Sequence, residues 1–417
     1  MSLDLSAAAA ILKECYPKET VPELGYKDNP FFAVIKKDTT AGGDQEKIPL
    51  DVAPNQARSA TFSTAQTLAA GTSSKFKAFE LTLVEDYAVA MVTGKVLRIT
   101  KNNLQAFVRA MDREVKNSFR ASMRAANRDL YRDRTGAIGS VGASGLSTVY
   151  CTLTNATKGA GHCFEVGMEV VAAANATSSL RSGNATITGI NRATGVLTTD
   201  SNWASQITSI ADADLLFPQG DYVTASDKLK LAGLEAWCPA TAPAPADSFY
   251  GVDRSIDVER LSGVRYDGSL DSLEEALING QSEGSANGGK PSICLMAPYN
   301  MRRLINSLGS KKFEYHDVYA QGPDGPIAEI GFRAVFIQGD TGDIAILADP
   351  LVPYDVAWMI DPESWTLFSA GDFPGFLKED GLEIRAVYNA DAYECRIGGY
   401  LNAGCTDPSS TVRIKLA

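Results

Sequence analysis

Small and apolar residues recur at spacings of three and four through residues 102–133: Leu104, Val108, Met111, Val115, Phe119, Ser122, Ala126 and Leu130. At 100° per residue these positions share one face, so the spacing predicts one long helix, capped by Thr100 or Asn102. A second stripe runs roughly opposite: Arg109, Arg113, Lys116, Arg120, Arg124, Arg128 and Arg132. Other stretches follow other rules. Residues 4–16 predict a short helix with Ser6 as cap, and residues 17–44, with three prolines and a TTAGGD run, predict an extended arm. Residues 45–83 predict a long hairpin, IPLDV on one side and KFKAFELTL on the other, around a Ser/Thr/Ala/Gly-rich stretch with few large apolar residues. Such a hairpin has little core of its own and needs outside support.

Residues 86–99 predict a strand pair or one bent strand. Beyond residue 140 the period changes. The runs STVYCTL, MEVVAA, ATITGI and GVLTTD, broken by Gly and Asn, predict a small β-barrel or sandwich with NRATG as a hairpin turn. A Pro/Ala linker, AWCPATAPAPAD, leads into a mixed segment. It holds a helix in SLDSLEEALINGQSEG capped by Ser269 or Asp271, a buried strand in PSICLMAP, and a helix over Tyr299–Leu308. The strands FRAVFI, DIAILAD, WTLFS, LEIRAVY, AYECRIGGYLNAGC and TVRIKL follow. No regular βαβ repeat emerges, so the fold class is α+β.

Composition narrows the function. The 417 residues suit two or three compact units. A net charge of −11 argues against the whole surface binding nucleic acid. Yet residues 100–134 carry nine Lys and Arg against four Asp and Glu. A solvated face accounts for many such stripes. Here the near-uniform sign also fits a partner surface, whether acidic patches of a neighbouring subunit, a scaffolding protein or packaged DNA. The seven cysteines are odd in number and lack a CxxC pair, which predicts free thiols in a reducing compartment. No signal peptide and no apolar run of membrane-spanning length is visible.

Catalytic chemistry is poorly supplied. Only His162 and His316 exist, and structural roles are the commoner ones for both. His162 beside Cys163 lacks the second ligand pair that zinc sites use, and GASG, NGG and QGPDGP lack the GK[ST] ending of a phosphate loop. No catalytic, cofactor-binding or metal-binding residue is expected.

The order of these pieces, with YKDNPFFAVIKKDT, RSATFSTAQ and GLEIRAVYNADAYECRIGGYLNAGCTDP, resembles the tailed-bacteriophage major capsid proteins of the Hong Kong 97 fold. The resemblance covers most of the chain outside 141–230. It implies an N-terminal arm over 1–44, an E-loop hairpin over 45–83 and a P domain with a spine helix over 84–140. An inserted β module over 141–230, an A domain over 231–375 and returning C-terminal strands over 376–417 complete the plan. It further implies a non-enzymatic protein, made in the host bacterial cytoplasm and resident in the virion capsid. That protein joins copies of itself as hexamers and pentamers into an icosahedral shell around double-stranded DNA. Portal and scaffolding proteins, decoration proteins and the DNA on the inner face are the further partners; no membrane is involved. Within the hairpin, Arg58, Phe62, Lys75 and Lys77 become candidate intersubunit residues. An encapsulin-like cellular compartment and a phage tail or decoration protein are the alternatives.

Overall fold

The computed structural model describes residues 30–42, 45–53, 55–71, 74–95, 104–142, 145–155, 159–222, 228–308, 314–322, 325–330, 332–378 and 381–416. The helix expected over 4–16 and the caps at Thr100 and Asn102 lie outside these residues.

The long helix runs Leu104–Asp129. Its apolar stripe turns inward: Val115, Phe119, Ser122, Ala126 and, just past its end, Leu130 are buried. Val115 and Phe119 pack on Ala90, Cys395 and Ile397, one face of a six-stranded sheet. That sheet is organised by the 14-residue strand Ala392–Cys405. Val84–Thr93 pairs antiparallel along its first part, from Ala392↔Thr93 to Leu401↔Val84, and Trp365–Ser369 along its last. Residues 86–99 were expected to hold a strand pair or bent strand; residues 86–93 belong to the single strand Val84–Thr93, and 96–99 lie outside the described residues.

The arm expectation needs correction. Pro30–Val34 is a helix, and every residue of it is buried, because PFFAV has no polar side to present to water. Phe31 packs its ring 5.5 Å from Tyr131 and 5.9 Å from Trp365. The following strand Lys36–Asp38 runs parallel to Trp365–Ser369, so this part of the arm is core and sheet.

The hairpin pairs Glu46–Ala53 with Lys75–Leu81. Its base is anchored by Ile48, Phe79 and Leu81, with Phe79 edge-on to Trp237 at 4.9 Å. Between the strands, in the Ser/Thr/Ala/Gly-rich stretch, Phe62–Gly71 forms a helix. Ala, Gln and Leu in FSTAQTLAAG favour helix once the flanking strands hold its ends together.

The β module is a ring of six strands, in the order Gly139–Ser140, Leu215–Pro218, Glu169–Ala173, Ala185–Asn191, Val196–Thr199 and Tyr150–Thr152. A bridge between Val141 and Leu153 joins the last strand to the first, so the module is a barrel. Full closure leaves no sheet edge to pair with foreign strands. Its strands span residues 139–218, beginning two residues before and ending twelve residues before the expected stretch 141–230. Phe164, Val170, Ile187, Leu197, Trp203 and Leu216 fill it, and they form one apolar cluster with Leu130, Tyr131 and Trp237 of the body.

The third unit is an eight-stranded mixed sheet. Its order is Val264–Asp267, Val412–Lys415, Val356–Ile360, Ile293–Met296, Asp343–Ala348, Phe332–Gln338, Glu314–Gly322 and Gly325–Ile330. The helices Leu273–Ala286 and Pro298–Leu308 pack on it. The N-cap of the first is Ser272, not Ser269 or Asp271. Ser272 Oγ accepts from the Glu275 N–H while the Glu275 carboxylate accepts from the Ser272 N–H, a reciprocal capping box. Trp365–Ser369, inside the stretch 231–375, pairs with the first sheet instead of this one. Of LEIRAVY only Arg385–Ala386 is strand.

Candidate assembly surfaces

The hairpin is buried at its base and bare at its tip. Along one face of Lys75–Leu81, Lys75 and Lys77 are exposed while Phe79 and Leu81 are buried. The helix Phe62–Gly71 buries no residue; Phe62 is 83% exposed and Phe76 is 73% exposed. Arg58 is also exposed. Residues 52–79 contain these three cations and no carboxylate. All four hairpin candidates therefore lie together on one solvent-facing projection. Large aromatic side chains left out of the core, on an element with no core, make this a candidate interaction surface.

The basic stripe divides. Arg120 is exposed and Lys116 half-buried. Arg124 is taken up by the barrel: it pairs with Glu165 at 2.6 Å and donates to the His162 carbonyl at 3.0 Å. Arg128 corrects the sequence expectation outright. It is only 4% exposed, bonded to Asp129 at 3.0 Å and facing Asp221 at 3.7 Å. Arg132 donates to Cys163 Sγ at 3.3 Å. The stripe thus loses its free face at the C-terminal turns, because the barrel and its exit segment fold back over them. Arg109 and Arg113 belong to the N-terminal half of the same helix.

Arg128 is part of a buried ionic cluster that sequence reasoning missed. Lys230 Nζ lies 3.0 Å from Asp221, 3.4 Å from Asp86 and 3.7 Å from Asp129. Ser122 donates to Asp86 at 2.7 Å. Burial alone would push the Lys230 ammonium down, but Asp129, Asp221 and Asp86 overcome that and hold it above the usual lysine value. Burial pushes the Asp221 carboxyl up, with Lys230 pulling against it. The cluster ties the strand after the hairpin, the end of the long helix and the barrel exit to one another. A half-open cleft of about 590 Å³ lies over it, lined by Asp86, Tyr87, Arg134, Asp221 and Lys230 among others. Gly233 seals the same junction: a Cβ there would stand 2.3 Å from the Asp129 carbonyl oxygen, so only glycine lets the two segments touch.

His162 is bonded through Nδ1 to the Gly159 carbonyl at 2.9 Å, and His316 lies on the strand Glu314–Gly322. Among the described residues no group of three or more His, Cys, Asp or Glu side chains is placed to hold a metal ion. The six described cysteines are buried free thiols, and burial raises Cys151, Cys395 and Cys405 to about 12. No described helix is long and apolar enough to cross a membrane.

Residues 211–379 match the model of the SU10 major capsid protein family. That stretch runs from the last barrel strand through most of the eight-stranded sheet. The fold is similar to the cyanophage A-1(L) capsid asymmetric unit, at 10% identity over 95% of this chain and 92% of that one, with a TM-score of 0.50. By this match and this fold the chain is similar to tailed-phage major capsid proteins. A Mycobacterium phage Bobi chain also aligns, at 9% identity over 100% of this chain and 99% of that one, with a TM-score of 0.44. Among curated proteins nothing matches. As a capsid protein of the Hong Kong 97-like fold, the chain is a shell subunit: it joins copies of itself in the virion.

One consequence concerns the basic helix. Arg120→Glu is expected to change subunit stability by no more than about 0.5 kcal/mol, since an exposed site away from caps and core carries little. It should nonetheless reduce shell yield or DNA filling, read by sedimentation and by the absorbance ratio of purified particles. Normal filled particles would return Arg120 to a solvated face.

Proposed function

We propose that this capsid protein forms hexamers and pentamers that close into an icosahedral shell around double-stranded DNA, with the hairpin of each subunit lying across its neighbour. The supporting observation is the hairpin itself. Its helix Phe62–Gly71 buries nothing within the subunit, while its base is fixed by Phe79 and Leu81. A rigidly mounted apolar and cationic projection is built to be covered by another chain. In this reading residues 45–83 serve as the E-loop, 84–140 as the P domain, 231–375 chiefly as the A domain and 376–417 as the returning strands. The barrel faces outward, where the shell has room for added mass. The exposed part of the Arg stripe meets a neighbouring subunit, a scaffolding protein or DNA on the inner face. Portal and decoration proteins are further partners. The protein is made in the host bacterial cytoplasm and has no enzymatic role.

The direct test is electron microscopy and sedimentation of the full-length protein, alone and co-expressed with the other structural proteins of its phage. Closed shells with five-fold and six-fold capsomers are expected. A chain that stays monomeric under every such condition would overturn the proposal.

A further inference from the structure

The hairpin leaves the subunit through a two-residue link, Thr82–Leu83, between the strands Lys75–Leu81 and Val84–Thr93. A free link of that length is a hinge. From Leu81 to Lys75 the strand extends about 20 Å, so a swing of about 15° moves its far end by about 5 Å, as much as one strand spacing. A tip that docks on a fixed patch of another chain has to be aimed from its root.

The root is held by one side chain. Asn402 is fully buried. It follows Leu401, whose pairing with Val84 is the last rung between Ala392–Cys405 and Val84–Thr93. Where that ladder stops, the Asn402 amide takes over: its nitrogen donates to the Thr82 carbonyl at 2.6 Å and to the Tyr250 hydroxyl at 2.8 Å. Its oxygen accepts from the N–H groups of Ala232 and Ala403, both at 2.9 Å. An asparagine amide has two N–H donors and two lone pairs, so every hydrogen bond open to it is made. A carbonyl on one side and N–H groups on the other also fix which way the amide faces. Tyr250 completes the grip: its backbone carbonyl accepts from the Glu80 N–H at 3.0 Å, so the chain is held on both sides of Leu81. Tyr250 itself has a φ of 47°, a left-handed conformation that a residue with a side chain keeps only where its surroundings specify it. The Arg134 guanidinium carbon lies 4.5 Å from its ring centre. The cleft over the ionic cluster reaches the link, with Thr82, Leu83 and Val84 on its wall. On that side hydrogen bonds, not crowding, set the angle.

We infer that Asn402 is a positioning residue for assembly: with Tyr250 it fixes the angle at which the hairpin leaves the subunit, and so aims the exposed tip at the neighbouring copy. This rests on the reading in which the hairpin lies across its neighbour. A hairpin already held at its docking angle loses less freedom on contact, which raises affinity without adding any contact.

The test uses the full-length protein. Asn402→Asp keeps the size of the side chain and its bonds from Ala232 and Ala403 but removes both donors, which releases the Thr82 carbonyl. Tyr250→Phe removes one hydroxyl and loosens the same grip less. Aim is read in the unassembled subunit as the spread of distances between spin labels on Gln66→Cys and Ala286→Cys, both exposed sites, in a Cys15→Ser background; the other six thiols are buried. Assembly is read by sedimentation. Asn402→Asp is expected to broaden the distance distribution and to lower the assembled fraction about ten-fold or more at concentrations where the wild type assembles, because the lost preorganisation is charged at every contact. Its circular dichroism should stay that of the wild type. Tyr250→Phe should do both to a smaller degree, and it carries the test alone if Asn402→Asp does not fold. An unchanged distance distribution overturns the inference, even where assembly is lost, since the defect then lies in stability and not in aim. A broadened distribution with wild-type assembly overturns it as well. A wild-type chain that never assembles overturns the shell reading, while the distance distributions still show whether Asn402 holds the hairpin.

Discussion

Lys230→Met should lower the unfolding free energy of the unassembled subunit by about 3–5 kcal/mol, the range expected when one partner of a buried ionic network is removed. Methionine keeps most of the length and apolar stem of lysine, so packing is largely preserved and the loss is electrostatic. The Lys230 side chain is 10% exposed and that of Asp129 6%, so water replaces the ammonium only in part. Without it, Asp86, Asp129 and Asp221 are left with Arg128 alone on the cationic side, and Arg128 is already bonded to Asp129. The deficit should depend on pH with a definite sign. Burial already holds the Asp221 carboxyl above its ordinary value. A group raised in this way contributes stability that is fully present below its unfolded pKa and is lost as pH rises through its folded one. Removing Lys230 takes away the attraction that opposes the rise, so Asp221 in the variant takes up its proton at a higher pH. The gap between wild type and variant should therefore narrow from pH 8 to pH 5. Urea denaturation at the two pH values measures it; a gap under about 1 kcal/mol, smaller than the loss expected for a broken buried network, or one indifferent to pH, would remove the cluster from the list of things holding the junction together.

That cluster was invisible in the sequence for a plain reason. Asp86, Asp129, Asp221 and Lys230 are unremarkable one at a time and are brought together only by the tertiary fold. The long helix was legible because its period is local: positions three and four apart must share a face whatever else the chain does. The same period placed Arg128 and Arg132 on a stripe but could not say what lies over that stripe, and Cys163 and Asp221 arrive there from the barrel. The barrel was legible as short β-branched runs between glycine and asparagine turns, whereas its closure through Val141 and Leu153 was not. Strand order in the eight-stranded sheet was beyond reach for the same reason. Val412–Lys415, near the end of the chain, inserts between Val264–Asp267 and Val356–Ile360, a pairing no local pattern encodes. The candidate assembly surface was read in a different way. A hairpin too poor in apolar residues to fold alone points to a partner through what it lacks, and Arg58, Phe62, Lys75 and Lys77 are all exposed on it.

Replacing Phe62 and Phe76 together by serine is expected to abolish shell formation while leaving the subunit intact. Both rings stand in solvent, at 83% and 73% exposure, so neither contributes to the folded subunit's core. The hairpin base is held by Ile48, Phe79 and Leu81, which the change does not touch. The denaturation midpoint of the unassembled chain should therefore stay where it is. Assembly is another matter. Burying a phenylalanine side chain contributes roughly 1.5–3 kcal/mol, so two of them supply about 3–6 kcal/mol to each subunit contact that covers the hairpin tip. At 1.4 kcal/mol per factor of ten, that is a drop of about two to four orders of magnitude in the association constant of every such contact. A shell repeats the contact at every subunit, so the loss compounds and closure should fail at concentrations where the wild type assembles fully. Replacing Lys75 and Lys77 by glutamine should have a smaller effect that fades as salt rises, because exposed charges steer and orient more than they bind. The measurement is sedimentation velocity on wild type and both variants at matched concentration and at two salt levels. Shells from the double serine variant at wild-type yield would mean that the hairpin tip meets solvent in the shell as it does in the subunit, and the intersubunit role would pass to another surface.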